Sequence, residues 1–139
     1  LRSLDRPMTP ERLQAVATDV MNVSWSPDGG MTGEVIWSNE RQAGFIVIDG
    51  LDVNDPSDFQ YQLWIFDDAL AAYSENTAID GGVFDVTADG RVVIPISAKL
   101  EVKDPTLFAI TSEPPGGVVK HNPERDPERY RIVAVAPIA

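Results

Sequence analysis

Phe59-Gln60-Tyr61-Gln62-Leu63-Trp64-Ile65-Phe66 repeats with a period of two. Phe59, Tyr61, Leu63 and Ile65 fall on one face, and Gln60, Gln62, Trp64 and Phe66 on the other. Side chains of an extended chain alternate between faces, whereas apolar positions on a helix recur every three or four residues, so the spacing reads as a strand. The alternation recurs upstream. Met21, Val23 and Trp25 alternate with Asn22 and Ser24, and Val35 and Trp37 alternate with Glu34 and Ser38. Ser26-Pro27-Asp28-Gly29-Gly30 and Asn39-Glu40-Arg41 mark the turns between these runs, and Phe45-Ile46-Val47-Ile48 reads as a strand buried on both sides.

Downstream, Gly81-Gly82 precedes an apparent strand, Val83 to Val86. Ala88-Asp89-Gly90 has the chemistry of a hairpin turn leading into Val92 to Ile96, where Pro95 marks an edge strand or a bulge. A strand from Leu107 to Thr111 runs through Ser112 and Glu113 into Pro114-Pro115-Gly116-Gly117. Proline lacks a backbone donor and glycine permits positive φ, so the chain must turn there. A last strand begins at Ile132. About eight short strands separated by turns predict an all-β fold, an antiparallel β-sandwich. Helix is minor. Thr9 caps, Pro10 suits the first helical position and Glu11 complements the dipole of a short helix ending near Ala17, and a further turn is predicted over Asp68 to Tyr73. The expected division is a tether or short helix over residues 1–18 and a sandwich domain over 19–139.

The chain has 139 residues, 43% of them apolar, which suffices for one domain with a substantial core. It has no Cys, which excludes disulfides and zinc-thiolate sites. Acids outnumber Lys and Arg by 22 to 11, for a net charge of −11, and no Lys or Arg lies between Arg41 and Arg91. Such a surface repels nucleic-acid phosphates and anionic lipid headgroups and is read as a solvated acidic face. The longest clean apolar run, Ile132 to Ala139, falls well short of the roughly 18–20 residues that span a bilayer. A start at Leu1 rather than Met reads as an excised fragment.

Catalytic chemistry finds little support. Asp52, Asn54, Asp55 and Asp58 crowd one loop, but Pro56 and Ser57 break the calcium-loop pattern, and turn-forming Asp and Asn account for the loop without metal. His121, the only His, lies in a charged loop beside Lys120, and no carboxylate pair is singled out by an apolar setting. The glycine pairs fall between strands rather than before a helix. No catalytic, cofactor-binding or metal-binding residue is assigned, and the expectation is a non-enzyme with no cofactor. Trp25, Trp37, Trp64, Tyr61 and Tyr73 could form a carbohydrate platform, although core packing is the simpler role for strand aromatics such as Trp64.

Three segments in order carry a more specific signal: Tyr61-Gln62-Leu63-Trp64-Ile65, then Gly82-Val83-Phe84-Asp85-Val86 with Asp89-Gly90, then Phe108-Ala109-Ile110-Thr111-Ser112-Glu113-Pro114-Pro115-Gly116-Gly117. This succession resembles the C-terminal domain of the anti-sigma-K factor (RskA) family, with its Y-x-L-W strand, its G-x-F strand and hairpin, and a strand ending in A-(V/I)-T-x-E-P-x-G-G. The matching positions are Tyr61, Leu63, Trp64, Gly82, Phe84, Thr111, Glu113, Pro114, Gly116 and Gly117. Departures are a longer segment over 67–80, the acidic load and the stretch from His121 to Arg129. The resemblance implies an extracytoplasmic domain of a single-pass membrane regulator. Its partners would be an extracytoplasmic-function sigma factor, bound through a cytoplasmic domain outside this chain, and site-specific proteases that release it. Membrane attachment would run through a transmembrane helix also outside the chain, and nucleic acid is not an expected partner. The alternative is a secreted or cell-surface module binding carbohydrate or protein. Glu113 has two readings: a latch accepting backbone N–H groups of the corner or the neighbouring strand, or an exposed ligand for a partner or cation.

Overall fold

Alternating residues build two four-stranded antiparallel sheets in a computed structural model that describes residues 7–72, 74, 77–88, 90–119 and 131–138. The first sheet contains β1 (Met21–Ser24), β2 (Thr32–Ser38), β3 (Ala43–Asp49) and β6 (Arg91–Pro95), in the order β1-β2-β3-β6. The second contains β4 (Gln60–Asp67), β5 (Ala78–Phe84), β7 (Pro105–Glu113) and β8 (Ile132–Pro137), in the order β5-β4-β7-β8. This is the all-β sandwich that the periodicity predicts. Pro95 ends β6, an edge strand, where its missing donor interrupts no central ladder.

The inward faces meet in one core. Val35, Trp37, Ile46 and Ile48 of the first sheet oppose Tyr61, Leu63, Ile65, Ile79, Phe108 and Ile110 of the second. Both sides of the sandwich are stitched across. The Ser26 amide donates to the Val135 carbonyl at 2.7 Å, while the Ser97 and Lys99 amides donate to the Gly81 and Asp80 carbonyls of β5 at 2.8 and 2.9 Å. A second, smaller cluster lies on the outer face of the first sheet. There Leu13 of α1 (Pro10–Val16) packs on Ile36, Phe45 and Val47, which explains why β3 is apolar on both faces. Thr9 caps this helix as expected, its hydroxyl accepting from the Arg12 amide at 3.1 Å. The turn predicted at Asp68 is a 3-10 turn, Asp68–Ala72.

Two local expectations are corrected. Gly81-Gly82 lies inside β5, which starts at Ala78, and does not precede the strand. A Cβ on Gly81 would stand 2.8 Å from Leu63 Cδ2, and Gly82 has φ +117° beside the register shift between Leu63 and Trp64, so Gly81 serves close packing and Gly82 the backbone of the irregularity. Ala88 to Gly90 does not close a hairpin, because β5 and β6 belong to different sheets. The turn chemistry redirects the chain but does not choose the partner strand. Among the described residues no helix is long and apolar enough to cross a membrane.

Candidate functional site

The three motif segments occupy adjacent strands, because β4 lies between β5 and β7. Tyr61 pairs in register with Phe84 on one side and Ser112 on the other. Its ring stacks on Phe84 at 5.6 Å and meets Phe59 edge-on at 5.4 Å. The hydroxyl donates to the Asp52 carbonyl at 2.7 Å. Burial, and secondarily the negative charge of Asp52, hold this phenol above its ordinary pKa. Leu63 points into the core beside Gly81.

Trp64 points to the opposite face of β4, yet is fully buried. Its indole N–H donates to Thr111 Oγ1 at 2.9 Å, and that hydroxyl donates onward to Glu113 Oε2 at 2.7 Å. One hydroxyl thus accepts from one motif residue and donates to another across β4 and β7. Glu113 is only 4% exposed, so its carboxylate is an internal acceptor and not a surface ligand.

The corner itself is held by other side chains. Every backbone N–H it carries has a partner: Gly116 donates to Gln60 Oε1 at 2.7 Å, Gly117 to the Pro114 carbonyl at 2.8 Å, and Val118 to Gln62 Oε1 at 2.9 Å. Gln62 Nε2 returns a hydrogen bond to the Val118 carbonyl at 2.9 Å, so one buried amide clasps both backbone groups of Val118. Of the latch reading's two options, the corner amides go to Gln60 and the Pro114 carbonyl, with Gln62 holding Val118 just beyond, while the Glu113 carboxylate accepts from the Thr111 hydroxyl. Gly117 has φ +74°, and a Cβ there would fall 2.5 Å from Val83 Cγ2 and 2.8 Å from Gln62 Oε1, so a side chain at that position would strain the backbone and push on the Gln62 amide.

Asp85 completes the link to β5. Gln60 Nε2 donates to its two oxygens at 3.0 and 3.2 Å, and Asn54 Nδ2 donates to Oδ1 at 2.9 Å. Asn54 is buried and also receives the Val86 amide at 2.7 Å. Asp55 accepts from the amide and the hydroxyl of Ser57, which lowers its pKa. The 52–58 loop is thus a self-bonded turn. Among the described residues no group of three or more His, Asp or Glu is arranged to hold a metal ion.

Asp67, at the end of β4 and 1% exposed, gathers three backbone amides. It accepts from Ala69, Lys103 and Asp104 at 2.9, 2.7 and 3.0 Å. Sequence reasoning overlooked Gln60, Gln62 and Asp67. For Gln60 and Gln62 the available signal was their place on the same face as Trp64 and Phe66, which the aromatics mark as covered; Asp67, at the strand end, carried no such signal. His121, Tyr73 and Asp89 lie outside the described residues. A half-open groove of about 470 Å³ borders the corner, with Leu70, Asp80, Lys99, Leu100 and Gly116 in its wall. The motif donors and acceptors are turned toward one another, and this arrangement fastens three strands and a corner into one unit.

The sequence matches the family described as "Anti-sigma-K factor rskA, C-terminal" over residues 2–128. The chain is 30% identical over 119 residues to the anti-sigma-K factor RskA of Mycolicibacterium vanbaalenii (strain DSM 7251), an alignment covering 84% of this chain and 44% of that protein. The proteins of the same name from Mycobacterium sp. strains KMS and JLS match with the same identity and coverage. The chain therefore spans less than half the length of these relatives. No solved structure matches it.

Proposed function

The chain belongs to the C-terminal family of the anti-sigma-K factors, and from that premise we propose that it is the extracytoplasmic regulatory domain of a membrane-anchored anti-sigma factor. In this reading the parent protein binds an extracytoplasmic-function sigma factor through a cytoplasmic segment outside this chain. The domain itself performs no catalysis. It acts by folding: site-specific proteases cut chains that open locally, so an intact domain beside the scissile segment withholds it, and loss of the fold surrenders it.

One observation carries this reading. The family-motif residues spend their polar groups inside the domain: Trp64, Thr111 and Glu113 bond in series, Tyr61 bonds to the Asp52 carbonyl, and the corner is held by Gln60 and Gln62 of the motif strand. Such a site responds to perturbation by unlocking, which suits a stability-reporting domain better than a catalyst. The carbohydrate-platform alternative gains nothing from Trp25, Trp37 and Trp64, which are 3%, 0% and 0% exposed and offer no open ring face.

The test uses the full-length parent protein, tagged after Ala139 and treated with protease in intact and in permeabilised cells. The proposal expects the tag to be lost in intact cells and a sigma factor to co-purify with the undigested protein. A tag protected until permeabilisation, or no sigma factor in the complex, would overturn it.

A further inference from the structure

We infer that α1 is a releasable strap, and that its docking is coupled through the β2–β3 turn to the loop over residues 101–104 that lies between the sheets. This deepens the folding-controlled reading by naming the device. Its test needs no protease, so either can fail alone.

Seven residues are too few for a helix to persist in water without tertiary support, so α1 depends on what it touches. Its buried anchor is Leu13, on Ile36, Phe45 and Val47. The other fastenings converge on the turn joining β2 to β3. The Arg41 guanidinium donates to the Val16 carbonyl at 2.9 Å, at the open end of the helix. Thr18 Oγ1 donates to Glu40 Oε2 at 3.1 Å. Asp19 accepts from Ser38 Oγ at 2.5 Å and from the Glu40 amide at 2.8 Å.

The same turn grips the 101–104 loop with its other side. Asn39 Nδ2 donates to the Lys103 carbonyl at 3.0 Å. Gln42 Nε2 donates to the Val102 carbonyl and Gln42 Oε1 accepts from the Val102 amide, both at 2.8 Å. From the opposite sheet, Asp67 accepts the Lys103 and Asp104 amides. The two grips share no atom but meet in the one turn. Ser38 Oγ, which donates to Asp19, also accepts from the Arg41 amide at 3.0 Å and so helps to shape the turn. Gln42 has φ +50°, a left-handed conformation that a non-glycine residue keeps only where several bonds over-determine it. Releasing the strap removes bonds from one side of this strained turn, and releasing the loop removes them from the other. Coupling of this kind is reciprocal by necessity.

Amide hydrogen exchange on the full chain, followed by NMR, tests the inference. Leu13→Asp undocks the strap and is expected to accelerate exchange of the Ala17 amide, which donates to the Leu13 carbonyl, and of Val102, Lys103 and Asp104, each by about fivefold or more. Gln42→Ala, on the loop side, is expected to accelerate Ala17 by a similar factor. The Leu63 and Ile110 amides, in the central strands, should be unaffected by either. If Leu13→Asp fails to fold, Asp19→Ala removes a different fastening of the same strap, the bonds to Ser38 and Glu40, at an exposed position. Faster exchange at Ala17 with no change at Val102 to Asp104, or the reverse for Gln42→Ala, would overturn the coupling.

Discussion

Replacing Gln62 by Leu tests the corner clasp at its centre. The side chain is fully buried, and its amide makes two hydrogen bonds of 2.9 Å to the backbone of Val118. Leucine nearly conserves the volume and removes both bonds, so packing is largely preserved while the polar clasp disappears. Two such bonds contribute about 1 kcal/mol each, and stranding the half-buried Val118 groups adds a partial desolvation cost, for a total of about 2–3 kcal/mol. Unfolding entropy of about 2.1 cal/mol/K per residue implies a loss of about 3–4 °C in Tm for each kcal/mol in a chain of 139 residues. The expected shift is therefore about 7–10 °C, read by circular dichroism on heating and checked by the urea midpoint at unchanged slope. Gln62→Glu should cost at least as much, because a carboxylate replaces the donor facing the Val118 carbonyl. A Tm shift below about 2 °C for Gln62→Leu would show that the corner is held by its own turn geometry and refute the clasp.

Other perturbations separate the remaining parts. Asp67→Ala removes a buried acceptor from three backbone amides and should cost about 3–5 kcal/mol by urea denaturation. Thr111→Val deletes the hydroxyl between Trp64 and Glu113, and Glu113→Gln weakens its charge-assisted bond; each should cost about 1–3 kcal/mol, measured the same way. The Asp19 carboxyl is held below its ordinary 3.8 by the Ser38 hydroxyl first and the Glu40 amide second. Its contribution is thus complete above the ordinary carboxylate range and lost as pH falls through the lowered value, so the Glu40 amide resonance should move only in that acid window. Tyr61 has the opposite sense. Burial raises its pKa above 10.0, so the stability that its neutral form supplies is intact below that value and fades on the alkaline side, where absorbance should show late ionisation.

The sequence makes the strands legible where one face is apolar and the other polar. Val35 and Trp37 against Glu34 and Ser38, and Tyr61, Leu63 and Ile65 along β4, land on the core side as the alternation requires. It misleads where a residue type serves two purposes. Gly81-Gly82 looks like a break, yet inside β5 Gly81 permits close packing on Leu63 and Gly82 a positive φ at the register shift. Asp89-Gly90 has hairpin chemistry, yet long-range pairing sends β5 and β6 to different sheets. The identity of the motif residues was readable in order, but their connections were not. Gln60 and Gln62 bear no local mark of the corner 56 residues away that they hold. Glu113, conspicuous beside the prolines, accepts from the Thr111 hydroxyl, and the inconspicuous Asp67 gathers three backbone amides.

The most direct test of the account follows cleavage of the full-length parent protein in cells that carry a sigma-dependent reporter. The series runs from the unaltered domain through Glu113→Gln and Gln62→Leu to Asp67→Ala, whose stabilities are first ranked on the isolated chain. The account predicts that cleavage and reporter output rise in the order in which stability falls. Equal cleavage and equal output across the series, despite the measured losses of stability, would contradict it.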